Sequence, residues 1–232
     1  MEKNTSLPQI EMKKKFGMEV ASLADLVTTQ IRELIITGEF KPGQQLKEDE
    51  LCKLFAISRP PIREAFKTLE ANGIVFRRPR RGVFVSEFTA KDVEEVYTIV
   101  AMLYQKATDM AMEVMTDREL DILASNIDMM VKFASTDPPN LRDYQAAHHA
   151  FHETIMELAG NERMKVMEQQ LRYQISIFSY KSFQDRHHLL SSCNYHQKIL
   201  EAIQDKNRKE ALALVEEHIL RATEFLTKKL SD

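Results

Sequence analysis

Three histidines fall within five positions of "AAHHAFHETIMELAG", residues 146–160, in a chain of 232 residues that holds only seven. On a helix, His148 and His152 stand four apart and share a face, while His149 turns substantially away. Two more lie in later helical patterns among apolar neighbours: His196 with Ile199, Leu200 and Ile203, and His218 with Leu214, Val215 and Ile219. Four imidazoles from three helices can converge in a bundle core, where metal and ligand sites are built. A single histidine on an apolar face is usually a hydrogen-bonded core residue. Four are harder to place, because each buried ring needs its own partner. The chemistry indicated is metal binding rather than catalysis, since there is no HExxH, no Glu-x-x-His pair and no Ser or Cys in a nucleophile context. A metal-dependent bundle enzyme with Glu153 or Asp143 as base is a remote alternative, because spacing places no acid–base pair.

A second constellation is cationic. Arg59 and Arg63 in "SRPPIREAF" are four apart and project from one side of a helix. A guanidinium can bridge O6 and N7 of guanine with two hydrogen bonds, and Lys67, one turn further on, suits a backbone phosphate. Arg77, Arg78, Arg80 and Arg81 crowd a short turn that Gly82 permits. Arginines at such a tip suit phosphates or a minor groove, where negative potential is focused. Either feature alone would read as a solvated surface; together they indicate double-stranded DNA.

The elements that must carry these groups follow from periodicity and punctuation. Residues 1–17 read as a flexible tail. Ser22 can cap a helix whose Leu23, Leu26, Val27, Ile31, Leu34 and Ile35 share a face. "TGEFKPGQQL" breaks it. A short helix "EDELCKLF", a tight connection "AIS" and a second helix "RPPIREAFKTLEAN" follow, with Ser58 as cap and Gly73 as stop. "IVFRR" and "VFVSEF" then alternate like strands around "PRRG". This layout, over residues 18–88, is that of a winged helix-turn-helix, whose second helix enters the major groove. From Thr89 onward, six amphipathic helices without strands cover about 89–115, 116–135, 140–159, 162–181, 188–204 and 207–229. They make residues 89–232 an antiparallel all-α bundle, so the fold class is mostly α.

Composition bounds the rest. With 44% hydrophobic and 29% charged residues the chain can bury a core in each of two domains. The net charge of −3 gives no hint of a polyanionic partner, but its distribution does. Residues 17–88 carry 11 Lys and Arg against 10 Asp and Glu, whereas residues 89–232 carry 17 against 23. Cys52 and Cys193 form no CxxC pair, which fits a reducing compartment. No signal-peptide pattern opens the chain, and no apolar run approaches the roughly 18 residues of a spanning helix. The expectation is a cytoplasmic protein with no membrane contact.

The stretch "LKEDELCKLFAISRPPIREAFKTLEANGIVFRRPRRGVFV" resembles the winged helix of the GntR family of bacterial transcription regulators. The helical half resembles the ligand-binding domain of its FadR subgroup, the FCD type. The resemblance implies a homodimeric regulator on a palindromic operator, with repression relieved by a small-molecule effector as the commoner arrangement, and no enzymatic activity. It makes Arg59 and Arg63 the base- and phosphate-contacting arginines and Gly82 the wing glycine. Two positions depart: Pro60 where many relatives have Thr, and Asp49 where some have Arg, a charge that would repel DNA if it faced it.

The same resemblance makes His152, His196 and His218 ligands of a divalent metal and puts His148 where the family has Asp. Four neutral nitrogens shift preference toward zinc, nickel or copper, with zinc or nickel first, and away from manganese or magnesium. Either His148 ligates the metal or it is freed to meet an effector. A regulator in which the metal itself is the signal is the alternative. Relatives carry an effector-facing Arg and a Glu in the first helix of this domain, where this chain has Val100 and Tyr104. Val cannot form the bidentate carboxylate clamp of an Arg. Either Arg172 or Arg142 takes that role, or the effector is not a small carboxylate.

Overall fold

A computed structural model describes residues 22–231; the tail expected over 1–17 lies outside them. The chain divides after Ser86 into two compact units, two residues before the boundary read from sequence.

In the first unit, α1 (Leu23–Ile36) starts from a capping box in which Ser22 and Asp25 bond each other's backbone N–H groups. Strand β1 (Gln45–Leu46) precedes α2 (Glu48–Phe55), and α3 (Arg59–Ala71) follows after Ala56, which takes the left-handed conformation at the end of α2. Ser58 stands at the N-cap of α3 but makes no side-chain cap bond. Strands β2 (Val75–Arg78) and β3 (Gly82–Val85) form the wing. β3 pairs antiparallel with both β1 and β2. Strand β1 escaped the sequence reading because two residues carry no alternation; only pairing with Val83 and Phe84 defines it. Ile31, Ile62, Ala65, Phe66, Leu69 and Ile74 are almost wholly buried and hold α3 in place.

In the second unit six helices pack without strands among the described residues: α4 (Ala90–Val114), α5 (Asp117–Ala134), α6 (Leu141–Leu158), α7 (Glu162–Phe183), α8 (Arg186–Gln204) and α9 (Arg208–Ser231). Side chains of Thr89, Asn140, Asn161 and Asp185 accept the exposed N–H groups at the starts of α4, α6, α7 and α8. α4 lies against α9, α6 and α7, while α5 packs on α6 and α8. Helices α7 and α8 run closer together than the sequence suggested. The break read at "SFQDR" shrinks to Gln184 and Asp185, because Asp185 accepts from the backbone N–H of His188 and starts α8 at once. That brings Ser182, Phe183 and His188 into the region of the histidines. No helix among the described residues is long and apolar enough to cross a membrane.

Leu123 of α5 is completely buried in this core. Leu123→Ala should lower the unfolding free energy of the protein by about 2–5 kcal/mol, read from urea melts followed by circular dichroism.

Candidate metal centre and nucleic-acid interface

The four histidines converge. Helical spacing on α6 sets His148 and His152 on one face, α8 supplies His196 and α9 supplies His218, and one ring nitrogen from each lies within 4.8 Å of all the others. All four are buried, His196 completely. His152 Nε2 and His196 Nε2 are 3.1 Å apart. That is close to the roughly 3.3 Å edge of a tetrahedron with metal–nitrogen bonds of about 2.0–2.1 Å. The backbone carbonyl of Ser192 lies 2.7 Å from His196 Nδ1, so Nδ1–H donates to it and the Nε2 lone pair faces the cluster. His148 Nδ1 is buried with no hydrogen-bond partner. An unsatisfied buried nitrogen among three other imidazoles is what a bound ion would satisfy.

Electrostatics agree with that donor set. Burial pushes the pKa values of His148, His152 and His218 well below the ordinary histidine value, and neighbouring imidazoles push the same way. Burial carries His196 down to about 4, against an opposing hydrogen bond to Ser192. The rings are therefore neutral at physiological pH, the protonation state that binds metal. Aromatic walls fix them: Tyr104 stacks on His152 at 4.5 Å between centroids, and Phe151 and Phe183 meet His196 and His148 edge-on. The residues present fit a divalent, imidazole-preferring ion.

A cavity of about 30 Å3 adjoins the cluster, room for a water or two. Val100 and Tyr104 line it, as do Ser179, Ser182, His149 and His188. His149, set aside by the sequence reading, faces this cavity and pairs its Nε2 with Ser176 Oγ at 2.8 Å. His188, another lining residue, stacks on Phe225. The helical phase of α6 does not find His149, which meets Ser176 of α7, and His188 of α8 is placed by its contact with Phe225 of α9.

The two arginines expected to face an effector do not line this cavity. Arg142 is exposed in the first turn of α6. Arg172 is held by Glu168 at 2.9 Å and Glu153 at 3.0 Å, so its charge is already matched. Glu168 is only 4% exposed and also accepts from the Tyr104 hydroxyl at 3.2 Å. This buried carboxylate went unnoticed in the sequence, where "MEQQLRYQ" reads as a polar helix face. Desolvation and the Glu168 carboxylate push the Tyr104 hydroxyl pKa well above its usual range, so it remains a donor.

In the first unit, Arg59 and Arg63 lie on one exposed side of α3, as spacing required. Each meets a carboxylate from the first turn of α2: Arg59 with Asp49 at 2.9 Å and Arg63 with Glu48 at 2.9 Å. Lys67 pairs with Glu64. Beyond α3, Arg77 approaches Glu70 at 3.4 Å, and the Arg78 guanidinium lies over both Phe76 and Phe84. Arg80 and Arg81 occupy the exposed tip of the wing. Arg80 has a φ of 60°, and Gly82 has 100°. A Cβ at Gly82 would stand 3.1 Å from the Gln45 amide, which donates to the Arg81 carbonyl and ties the wing to β1.

Residues 23–85 match the family described as bacterial regulatory proteins, gntR family, and residues 95–221, which include all four histidines, match the FCD domain. The chain is 28% identical over 203 residues to the HTH-type transcriptional regulator YdhC of Bacillus subtilis, covering 88% of this chain and 90% of that one. It is 25% identical over 199 residues to the gluconate operon transcriptional repressor of the same organism, covering 81% and 78%. Among solved structures, McbR/YncC of E. coli superposes with a TM-score of 0.78 at 18% identity, over 90% of this chain and 99% of that one. Lar of Listeria monocytogenes gives 0.62 at 20%, over 91% and 99%.

The Glu168–Arg172 pair generates a stability prediction. Glu168→Ala removes the buried partner and should destabilise the helical unit by about 2–3 kcal/mol in denaturant melts. This is less than the 3–5 typical of a fully buried pair, because Arg172 keeps Glu153 and some contact with water. A change under about 0.5 kcal/mol would show the network to be stabilising nothing.

Proposed function

Because the chain belongs to the GntR family of bacterial regulatory proteins and carries an FCD domain, it is a DNA-binding transcriptional regulator rather than an enzyme, and we propose that a small-molecule effector bound beside a metal centre sets its operator affinity. The observation that carries this reading is the convergence of His148, His152, His196 and His218 within 4.8 Å beside a cavity. Four neutral imidazoles select zinc or nickel over magnesium or manganese. When bound, the ion supplies a Lewis-acid anchor for an effector oxygen. The Tyr104, Ser179 and Ser182 hydroxyls, whose protons go to Glu168 and to backbone carbonyls of α7, offer acceptor oxygens, and Val100 shapes the wall. Among the described residues, no arginine or lysine lines the cavity. A carboxylate effector would therefore be met here without a guanidinium clamp. At about 30 Å3 the cavity must widen to admit more than a few atoms.

At the other unit, Arg59 and Arg63 read base edges or meet phosphates, Lys67 meets a phosphate, and Arg77, Arg78, Arg80 and Arg81, with Gly82 shaping the turn, carry the wing along the backbone or into a minor groove. The protein acts in the cytoplasm as a homodimer, so that two α3 helices meet the two halves of a palindrome. The resemblance to a gluconate operon repressor supports repression. An effector that weakens operator binding is itself bound more weakly by the DNA-bound protein.

A second reading, in which the metal is the signal, is favoured by the donor set itself. Four protein ligands close a tetrahedral site of the kind that needs no exogenous ligand. Chelator titration of operator binding separates the two: recovery by zinc or nickel alone identifies a metal sensor, whereas unchanged operator affinity with a lowered Tm identifies a supporting ion under effector control.

Two measurements follow. Elemental analysis should find about one zinc or nickel per chain, and His196→Ala should weaken metal affinity at least tenfold; native protein that takes up neither metal removes the centre. In operator titrations, Arg59→Ala should cost about 1–3 kcal/mol, while Lys67→Ala should lower the salt slope by about one without changing sequence preference.

A further inference from the structure

Two carboxylates stand against the arginines of α3, and a DNA-facing surface gains nothing in raw affinity from them. Glu48 and Asp49 open α2, where acidic groups are favoured by the helix dipole. Their third acidic neighbour, Glu50, stays within its own segment and pairs with Lys47. Glu48 and Asp49 instead reach across to α3. Arg59 presents both Nε, at 3.0 Å, and Nη2, at 2.9 Å, to the same Asp49 Oδ1. Arg63 presents Nε to Glu48 Oε2 at 2.9 Å.

A guanidinium has two hydrogen-bonding edges, one formed by Nε and Nη2 and the other by the two terminal nitrogens. With the first edge on Asp49, the second is left with its parallel N–H pair, the fork that matches O6 and N7 of guanine. The planar group can no longer rotate freely about its last bonds, so its direction is set before DNA arrives. Exposed pairs of this kind add little to folding stability; both side chains here are more than half exposed. Their effect is to be sought in recognition.

We infer that Asp49 is a positioning residue for DNA readout: it fixes the Arg59 fork for one guanine and, by its own negative charge, weakens binding to every other sequence. This rests on the reading of α3 as the base-reading helix. Specificity here comes from an oriented attraction and a general repulsion acting together.

The test uses the full-length chain. The native protein, D49N and R59A are each equilibrated with duplexes bearing random inserts of about 20 base pairs, room for two half-sites, and the bound DNA is sequenced at two salt concentrations. The native chain should enrich a guanine at a fixed place in each half-site, and R59A should lose it. D49N should weaken that preference by about tenfold while binding unselected DNA several-fold more tightly, with its thermal melt unchanged. If D49N keeps the guanine preference and merely binds all DNA better, Asp49 is a repulsive charge alone and the positioning role is overturned, although base reading by Arg59 stands. If the native chain enriches no sequence, base reading by α3 fails and the positioning role falls with it.

Discussion

Four imidazoles meet at one desolvated point, and the architecture of the helical unit answers to that constraint. All four rings are buried, so protonation is disfavoured on each and each carries one donor and one acceptor nitrogen that need partners. The Ser192 carbonyl takes the Nδ1 proton of His196. One nitrogen from each ring lies within 4.8 Å of the other three. Such an arrangement is poor as an apolar core and good as a chelate, because an ion satisfies several lone pairs at once. Tyr104, Phe151 and Phe183 then hold ring planes that would otherwise be free to turn.

The charged pairs of the two units behave differently because their surroundings differ. Glu168 is buried and needs both Arg172 and the Tyr104 hydroxyl. Removing any one partner leaves a desolvated charge less satisfied, so this network bears on whether the helices pack at all. The Arg59–Asp49 and Arg63–Glu48 pairs stand in water, where attraction is screened and side-chain entropy opposes it. They can be made and broken with little effect on the fold. One set of contacts thus belongs to the native state, and the other remains available to a polyanionic partner.

Much of this was legible in the residues. The cap at Ser22 and the helix starts placed near 89 and 116 are ones that the structure has, and the four-residue spacing of His148 and His152 states their shared face. The convergence with His196 and His218 was readable as well, because each sits mid-stripe on an apolar helix. What the sequence withheld depends on contacts between distant segments. Strand β1 exists only through its pairing with β3. Arg142 and Arg172 suggested a carboxylate clamp by charge alone, yet one lies at the surface and the other is already matched by Glu168 and Glu153. His149 pointed away from the helical stripe and still reaches the cavity, because α7 packs along that side and offers Ser176. Asp49 signalled repulsion in the sequence; only the folded chain shows which cation it accompanies.

The stacking around the histidines has an optical consequence. The chain contains no tryptophan and six tyrosines, so phenol rings dominate its intrinsic ultraviolet emission. Three of them lie against the cluster: Tyr104 on His152, Tyr144 near His148 and Tyr195 beside His218. Half of the molecule's native fluorophores therefore sit within ring contact of the centre, and events there modulate the protein's own emission without any attached dye.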